Sequence, residues 1–126
     1  MNKPARYEDD LFLFFGTRAA SLPLYKALES VLETEFPACS VKVQKSQISF
    51  YGRHLFAMVS LPRRKKDEGL LLTFGLGRPL DSPRVACQSE PYPGRFTLHI
   101  PLTAPEQLDA ELLGWLREAW EFNETK

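Results

Sequence analysis

The side chains able to hold an anion fall mainly in two stretches of the sequence. Val41 to Leu61, VKVQKSQISFYGRHLFAMVSL, carries Lys45, Ser49, Tyr51, Arg53 and His54, and Arg95 to Ile100, RFTLHI, carries Arg95 and His99. Guanidinium and ammonium groups interleaved with aromatic rings suit a phosphate-bearing ligand, a nucleotide or single-stranded nucleic acid. The glycine of Gly52-Arg53 between two strand-forming runs predicts a two-residue type II′ hairpin turn, with Phe50 opposite Leu55 and Ile48 opposite Ala57. Alternation then places Ile48, Phe50, Leu55, Ala57, Val59 and Leu61 on an apolar face. Lys45, Gln47, Ser49, Tyr51, His54 and Phe56 share the other. In the second stretch Arg95 and His99 alternate with Phe96, Leu98 and Ile100, so a shared sheet would add both to the same polar face, with Tyr92 nearby.

Other chemistries find less support. His54, His99, Cys39 and Cys87 lack any spacing that would preassemble a metal site, so no metal and no cofactor are expected. Gly75-Leu76-Gly77 has no third glycine and no helix after it, which argues against a dinucleotide loop. Nearly all carboxylates lie on helices or loop tips, away from the polar face, which argues against paired acid and base work. Ser49 with Lys45 or His54 is the one nucleophile and base combination that alternation allows. A small hydrolase using Ser49 or His99 is therefore the alternative to a binding module without catalytic residues. A third reading docks an acidic protein partner on the loop Arg63, Arg64, Lys65 and Lys66.

The elements that must position these groups follow from the rest of the chain. With 126 residues, 44% of them hydrophobic and 25% charged, the sequence fits one soluble domain over residues 1–126 that needs no disulfide or metal, with 1–7 and 123–126 as loose termini. The formal net charge of zero conceals segregation, since residues 42–66 hold seven cations and no acid while residues 106–126 hold two cations and six acids. No apolar run approaches 18 residues and no secretory signal pattern is present, so a cytoplasmic protein with no membrane partner is expected. Cys39 and Cys87 read as reduced, largely buried thiols.

In chain order, Glu8 to Asp10 lead a short helix through Phe15 that Gly16 stops and that tucks under the next helix. Ser21 and Pro23 open that second helix, with Leu24, Leu28, Val31 and Leu32 inward and Glu29, Glu33 and Glu35 outward. Strands follow at 41–51, 54–61, 70–76, 84–89 and 95–100. Thr103 with Glu106 forms a capping box for a last helix with a stripe of Leu108, Leu112, Trp115, Leu116 and Ala119, and Gly114 marks a close approach to the sheet. The resulting expectation is an α+β fold, a mostly antiparallel sheet of about five strands with N-terminal and C-terminal helices packed on one face.

The segments LPLYKALES, KSQISF from Lys45 to Phe50, Phe56-Ala57, PYPGRFTLHIPL and QLDAELLGWLREAW resemble an uncharacterised bacterial family known only as a domain of unknown function. The resemblance runs from about Leu11 to Trp120. It implies an α+β domain found as small stand-alone proteins and as terminal modules beside nuclease-like domains, and it carries over no catalytic residue.

Overall fold

A computed structural model describes residues 1–64 and 66–125. Helices α1 (Tyr7–Phe15) and α2 (Leu22–Glu35), joined by a 3₁₀ segment over Gly16–Ser21, precede strands β1 (Ser40–Val43), β2 (Ile48–Tyr51) and β3 (Leu55–Ser60). Then come β4 (Leu70–Leu76), β5 (Cys87–Tyr92), β6 (Arg95–Leu102) and α3 (Ala110–Glu124). The six strands form one antiparallel sheet in the order β1-β2-β3-β4-β6-β5. The expected α+β class holds, with one strand more than the sequence pattern gave.

The extra strand arises because 41–51 is itself a hairpin. Gln44 to Gln47 is polar and turns the chain, closed by Gln44 N–H donating to the Gln47 carbonyl at 2.8 Å. The next turn is also longer than two residues. Ile48 pairs with Val59 and Phe50 with Ala57, two positions further on than expected, and Tyr51 pairs with Leu55. A slip of two preserves which residues share a face, so Ile48, Phe50, Ala57 and Val59 are all buried as anticipated. Phe56 is the extra residue of a β-bulge, and bulges re-aim side chains. Instead of joining the polar face it packs edge-on against Trp120 and tilted against Phe36, with ring centroids 5.1 and 5.5 Å away.

One core joins Leu72, Phe74, Leu98 and Ile100 of the central strands to Leu28 and Leu32 of α2 and Leu112, Leu116 and Ala119 of α3. On the opposite sheet face Ser49 and Thr73 are buried, Met58 and His99 are half-buried and Cys87 is exposed. Helix α1 is held to α2 by a buried polar chain in which the Tyr25 hydroxyl donates to the Tyr7 hydroxyl at 2.5 Å and Tyr7 donates to Glu29 Oε2 at 2.6 Å. Glu29 is therefore buried (8% exposed), not outward. Phe12 and Leu13, expected to tuck inward with the rest of α1, are exposed on its far side.

Asn2 and Asn123, expected in loose termini, are both engaged with the fold. Asn2 pairs with the outer edge of β1 through N–H donation to Cys39 O and acceptance from Val41 N–H, and Asn123 is buried. Helix α3 starts later than the expected Thr103 capping box, because Asp109 caps it by accepting from Leu112 N–H at 3.0 Å. The Gln107 side chain instead accepts from the Thr103 and Ala104 amides. Arg84 lies before β5, not in it, and binds Asp109 and Glu111 while stacking on Trp115.

Gly114 makes no close approach to the sheet. It is exposed, and a Cβ placed there meets nothing within 4 Å. A mid-helix glycine in open space costs backbone entropy without a packing return, so Gly114→Ala is expected to stabilise the fold by about 1 kcal/mol, a rise of a few degrees in Tm. Calorimetric melting of the variant checks this, and an unchanged or lowered Tm would contradict it.

Candidate functional site

The face opposite the core displays a row that crosses every strand. Lys42 pairs with Ser49, Ser49 with Met58, Met58 with Thr73, Thr73 with His99 and His99 with Cys87. Two of the expected site residues, Ser49 and His99, stand in this row but three strands apart, about 14 Å at the usual spacing. Ser49 is fully buried under two glutamines, accepting from Gln47 Nε2 at 2.9 Å and donating to Gln44 Oε1 at 2.8 Å. His99 Nδ1 shares a 2.8 Å hydrogen bond with Thr73 Oγ1. Neither Lys45 nor His54 hydrogen-bonds to Ser49 among the described residues, so the nucleophile and base combination expected there is not assembled. Cys87, on the edge strand, is exposed, whereas Cys39 is buried as expected.

The remaining candidates divide between the two ends of the sheet. Lys45 is exposed in the β1–β2 turn and is not on the polar face, because the chain reverses there. Tyr51, Arg53 and Arg95 lie at the opposite end, where β2 ends, β3 begins, β4 ends and β6 begins. Tyr51 is half-buried beside Leu55, and the backbone amide of Arg53 donates to Glu124 Oε1 while its side chain is exposed. The six residues thus do not converge: Arg95 lines a cleft at one end of the sheet, and Lys45 lines a smaller one at the other end beside Asp10 and Phe14. In the loop expected to dock an acidic partner, Arg63, Arg64 and Lys66 are exposed, Arg64 pairs with Asp67, and Lys65 lies outside the described residues.

The Arg95 cleft has a volume of about 520 Å³ and lies between the ends of β4 and α3 and the β5–β6 turn. Its size suits a small molecule. Arg95 holds its guanidinium 5.5 Å from the centre of the Phe122 ring, the distance of a cation–π contact. Phe122 is seated by Gly77, where a Cβ would come within 2.9 Å of the ring. Tyr92, 67% exposed, stands at the mouth across from Arg95, with which it pairs in the turn. Thr97 and Asn123 line the interior, and both also border an adjoining hollow of about 140 Å³ with Met58 and Thr73.

Among the described residues Arg95 shares the lack of an ion pair with Arg18, Arg53 and Arg63, and of these it is the one braced on an aromatic ring. Arg78 is held by Glu118, Arg84 by Asp109 and Glu111, and Arg117 by Glu35. Among the described residues no carboxylate pairs with Arg95. An arginine braced on an aromatic ring and free of a carboxylate is a ready donor to a ligand anion. No three potential metal-binding side chains gather among the described residues, and no described helix is long and apolar enough to cross a membrane.

A family profile described as a domain of unknown function, DUF5655, matches residues 13–123. The chain belongs to that family. No curated protein and no solved structure matches it. Within this DUF5655 chain the cleft residues that sequence reasoning missed are Phe122, Asn123, Thr97 and Gly75. Phe122 and Asn123 fall at the end of α3, where a helical pattern shows an apolar and a polar residue but not which strand they reach. Gly75 carried a signal, as an unexplained glycine inside a strand is a mark of close approach.

Proposed function

We propose that this chain is a binding module for a small anionic ligand carrying a planar ring, held in the cleft at the Arg95 end of the sheet. Arg95 supplies the cation, and Phe122 and Tyr92 supply ring surface. The observation that supports this most directly is the Arg95 guanidinium on Phe122 with no carboxylate partner among the described residues. A nucleotide combines the two features. The volume of about 520 Å³ favours a mononucleotide over a strand of nucleic acid. A cytosolic setting, where nucleotides are abundant and thiols stay reduced, agrees with the unbridged cysteines.

Titration calorimetry at low salt with nucleoside monophosphates and short single-stranded oligonucleotides tests the proposal. Mononucleotides are expected to bind, and Arg95→Ala to weaken them at least about tenfold, the range of a charge-assisted hydrogen bond. Lys45→Ala, at the far end of the sheet, should leave affinity unchanged. Absence of mononucleotide binding, or binding indifferent to Arg95→Ala, would overturn the assignment. Binding confined to oligonucleotides would overturn the small-ligand reading.

A further inference from the structure

The cleft contains an amide acceptor whose direction is fixed. Asn123 is 3% exposed, and its Nδ2 donates to Ala119 O at 2.7 Å and to Gly75 O at 3.2 Å. Both neighbours are carbonyls, so the amide nitrogen must face them and the oxygen must face away. Among the described residues no donor meets that oxygen. It lies beside Gly75, where a Cβ would stand 3.8 Å from Oδ1 and 3.6 Å from Nδ2. The missing side chain leaves open the space in front of the amide, and that space is where the two hollows meet.

An amide oxygen that faces the cleft with no protein donor is open to a ligand N–H, which takes the place of water there. Asn123 Oδ1 can only accept, while the Arg95 guanidinium at the mouth can only donate. A ligand satisfying both must offer an N–H at one end and an anionic group at the other.

Resting on the reading of the cleft as an anion site, we infer that Asn123 Oδ1 selects ligands whose ring presents an N–H, such as nucleoside monophosphates with an imide or amide hydrogen on the base. Thr97, which lines the same hollow, is a further polar residue at the ring edge. Sites that hydrogen-bond a ligand N–H reject the analogue lacking it, because a buried group is then left unpaired.

The probes are uridine and guanosine 5′-monophosphates and their analogues methylated at that ring nitrogen, measured by titration calorimetry against the full chain, Arg95→Ala and Gly75→Ala. The expected result is at least tenfold weaker binding of the methylated form. Arg95→Ala should weaken both forms and preserve their ratio. Gly75→Ala, whose Cβ makes ordinary contact with the amide and so leaves the fold intact, should shrink the ratio. Equal affinity for both forms would overturn the role of Asn123 while leaving the Arg95 cleft standing. A ratio unchanged by Gly75→Ala would assign the methyl effect to another wall and would equally overturn it. Failure of every nucleotide to bind would overturn the cleft reading, and this inference with it.

Discussion

Replacing Gly69 by alanine is expected to lower the unfolding free energy by at least about 3 kcal/mol and Tm by about 10 °C. Gly69 precedes β4 with a φ of +92°, a backbone conformation that an L side chain adopts only under strain. A Cβ there would lie 2.0 Å from Leu102 O, 3.1 Å from its carbonyl carbon and 3.2 Å from Thr103 Cα, all of them backbone atoms that cannot swing aside. The clash falls where β4 enters the sheet, since Leu70 pairs with Leu102 as the last rung of the longest ladder. Relief requires β4 and β6 to separate, and β4 is the strand that joins β3 to β6. Gly94→Ala is the control. Its φ of +75° imposes similar strain, but nothing lies within 4 Å, so a loss of only about 1 kcal/mol is expected. Chemical denaturation of both variants separates the contributions, and equal losses would show that the Leu102 contact is not the cause.

Gly69 also illustrates which information a sequence carries. Its position before a strand was evident, but the reason only glycine fits is a carbonyl 33 residues away, on a strand that local pattern cannot place alongside. The same limit applies to the turns. The alternation of Ile48, Phe50, Ala57 and Val59 revealed the core face, because a two-residue slip leaves parity intact. The bulge at Phe56 was invisible, since one extra residue changes the direction of a side chain without changing composition. Lys45 was assigned to a strand because VKVQKSQISFY reads as one strand-forming run, yet four polar residues suffice to reverse it. The helices were legible where hydrophobic spacing decides, as at Leu112, Leu116 and Ala119. Ser21 and Gly16 do mark the start of α2 and the end of α1, but the start of α3 was not legible, because Thr103, Asp109 and Gln107 compete and tertiary contact from Arg84 helps select Asp109.

The same limit explains the site. Arg95 was found because a charged residue beside an alternating strand stands out, and its ring partner was missed because Phe122 follows it by 27 positions on another element. The four cations that structure finds elsewhere, Lys45, Arg63, Arg64 and Lys66, are solvated. What separates Arg95 from them is the aromatic brace of Phe122 at the edge of a cleft, and that is a tertiary fact.

Tyr7→Phe is expected to destabilise the fold by about 2–3 kcal/mol, several times more than a typical surface change. Tyr7 is the middle of the chain Tyr25–Tyr7–Glu29, and each phenol has one hydrogen to give. Removing the Tyr7 hydroxyl leaves Glu29 Oε2 without its donor and the Tyr25 hydroxyl without its acceptor, in a region where both are buried. Lys26, 3.5 Å from Glu29 Oε1 and bound more closely to Glu8, compensates only in part. Tyr25→Phe removes only the outermost bond and should cost about 1 kcal/mol. The pH dependence provides a second readout. Burial, reinforced for Tyr7 by the Glu29 carboxylate, raises both phenols well above their ordinary value of 10.0. The folded pKa exceeds the unfolded one, so this stabilisation is complete below about pH 10 and is lost progressively as pH rises above it, with up to two protons released on unfolding. Two phenols should therefore ionise only as the fold is lost, in step with the far-ultraviolet dichroism. Tyr7→Phe should reduce the alkaline slope toward one proton. Reversible ionisation of both phenols in the folded protein near pH 10 would contradict the buried chain, and equal destabilisation by Tyr7→Phe and Tyr25→Phe would remove Tyr7 from its centre.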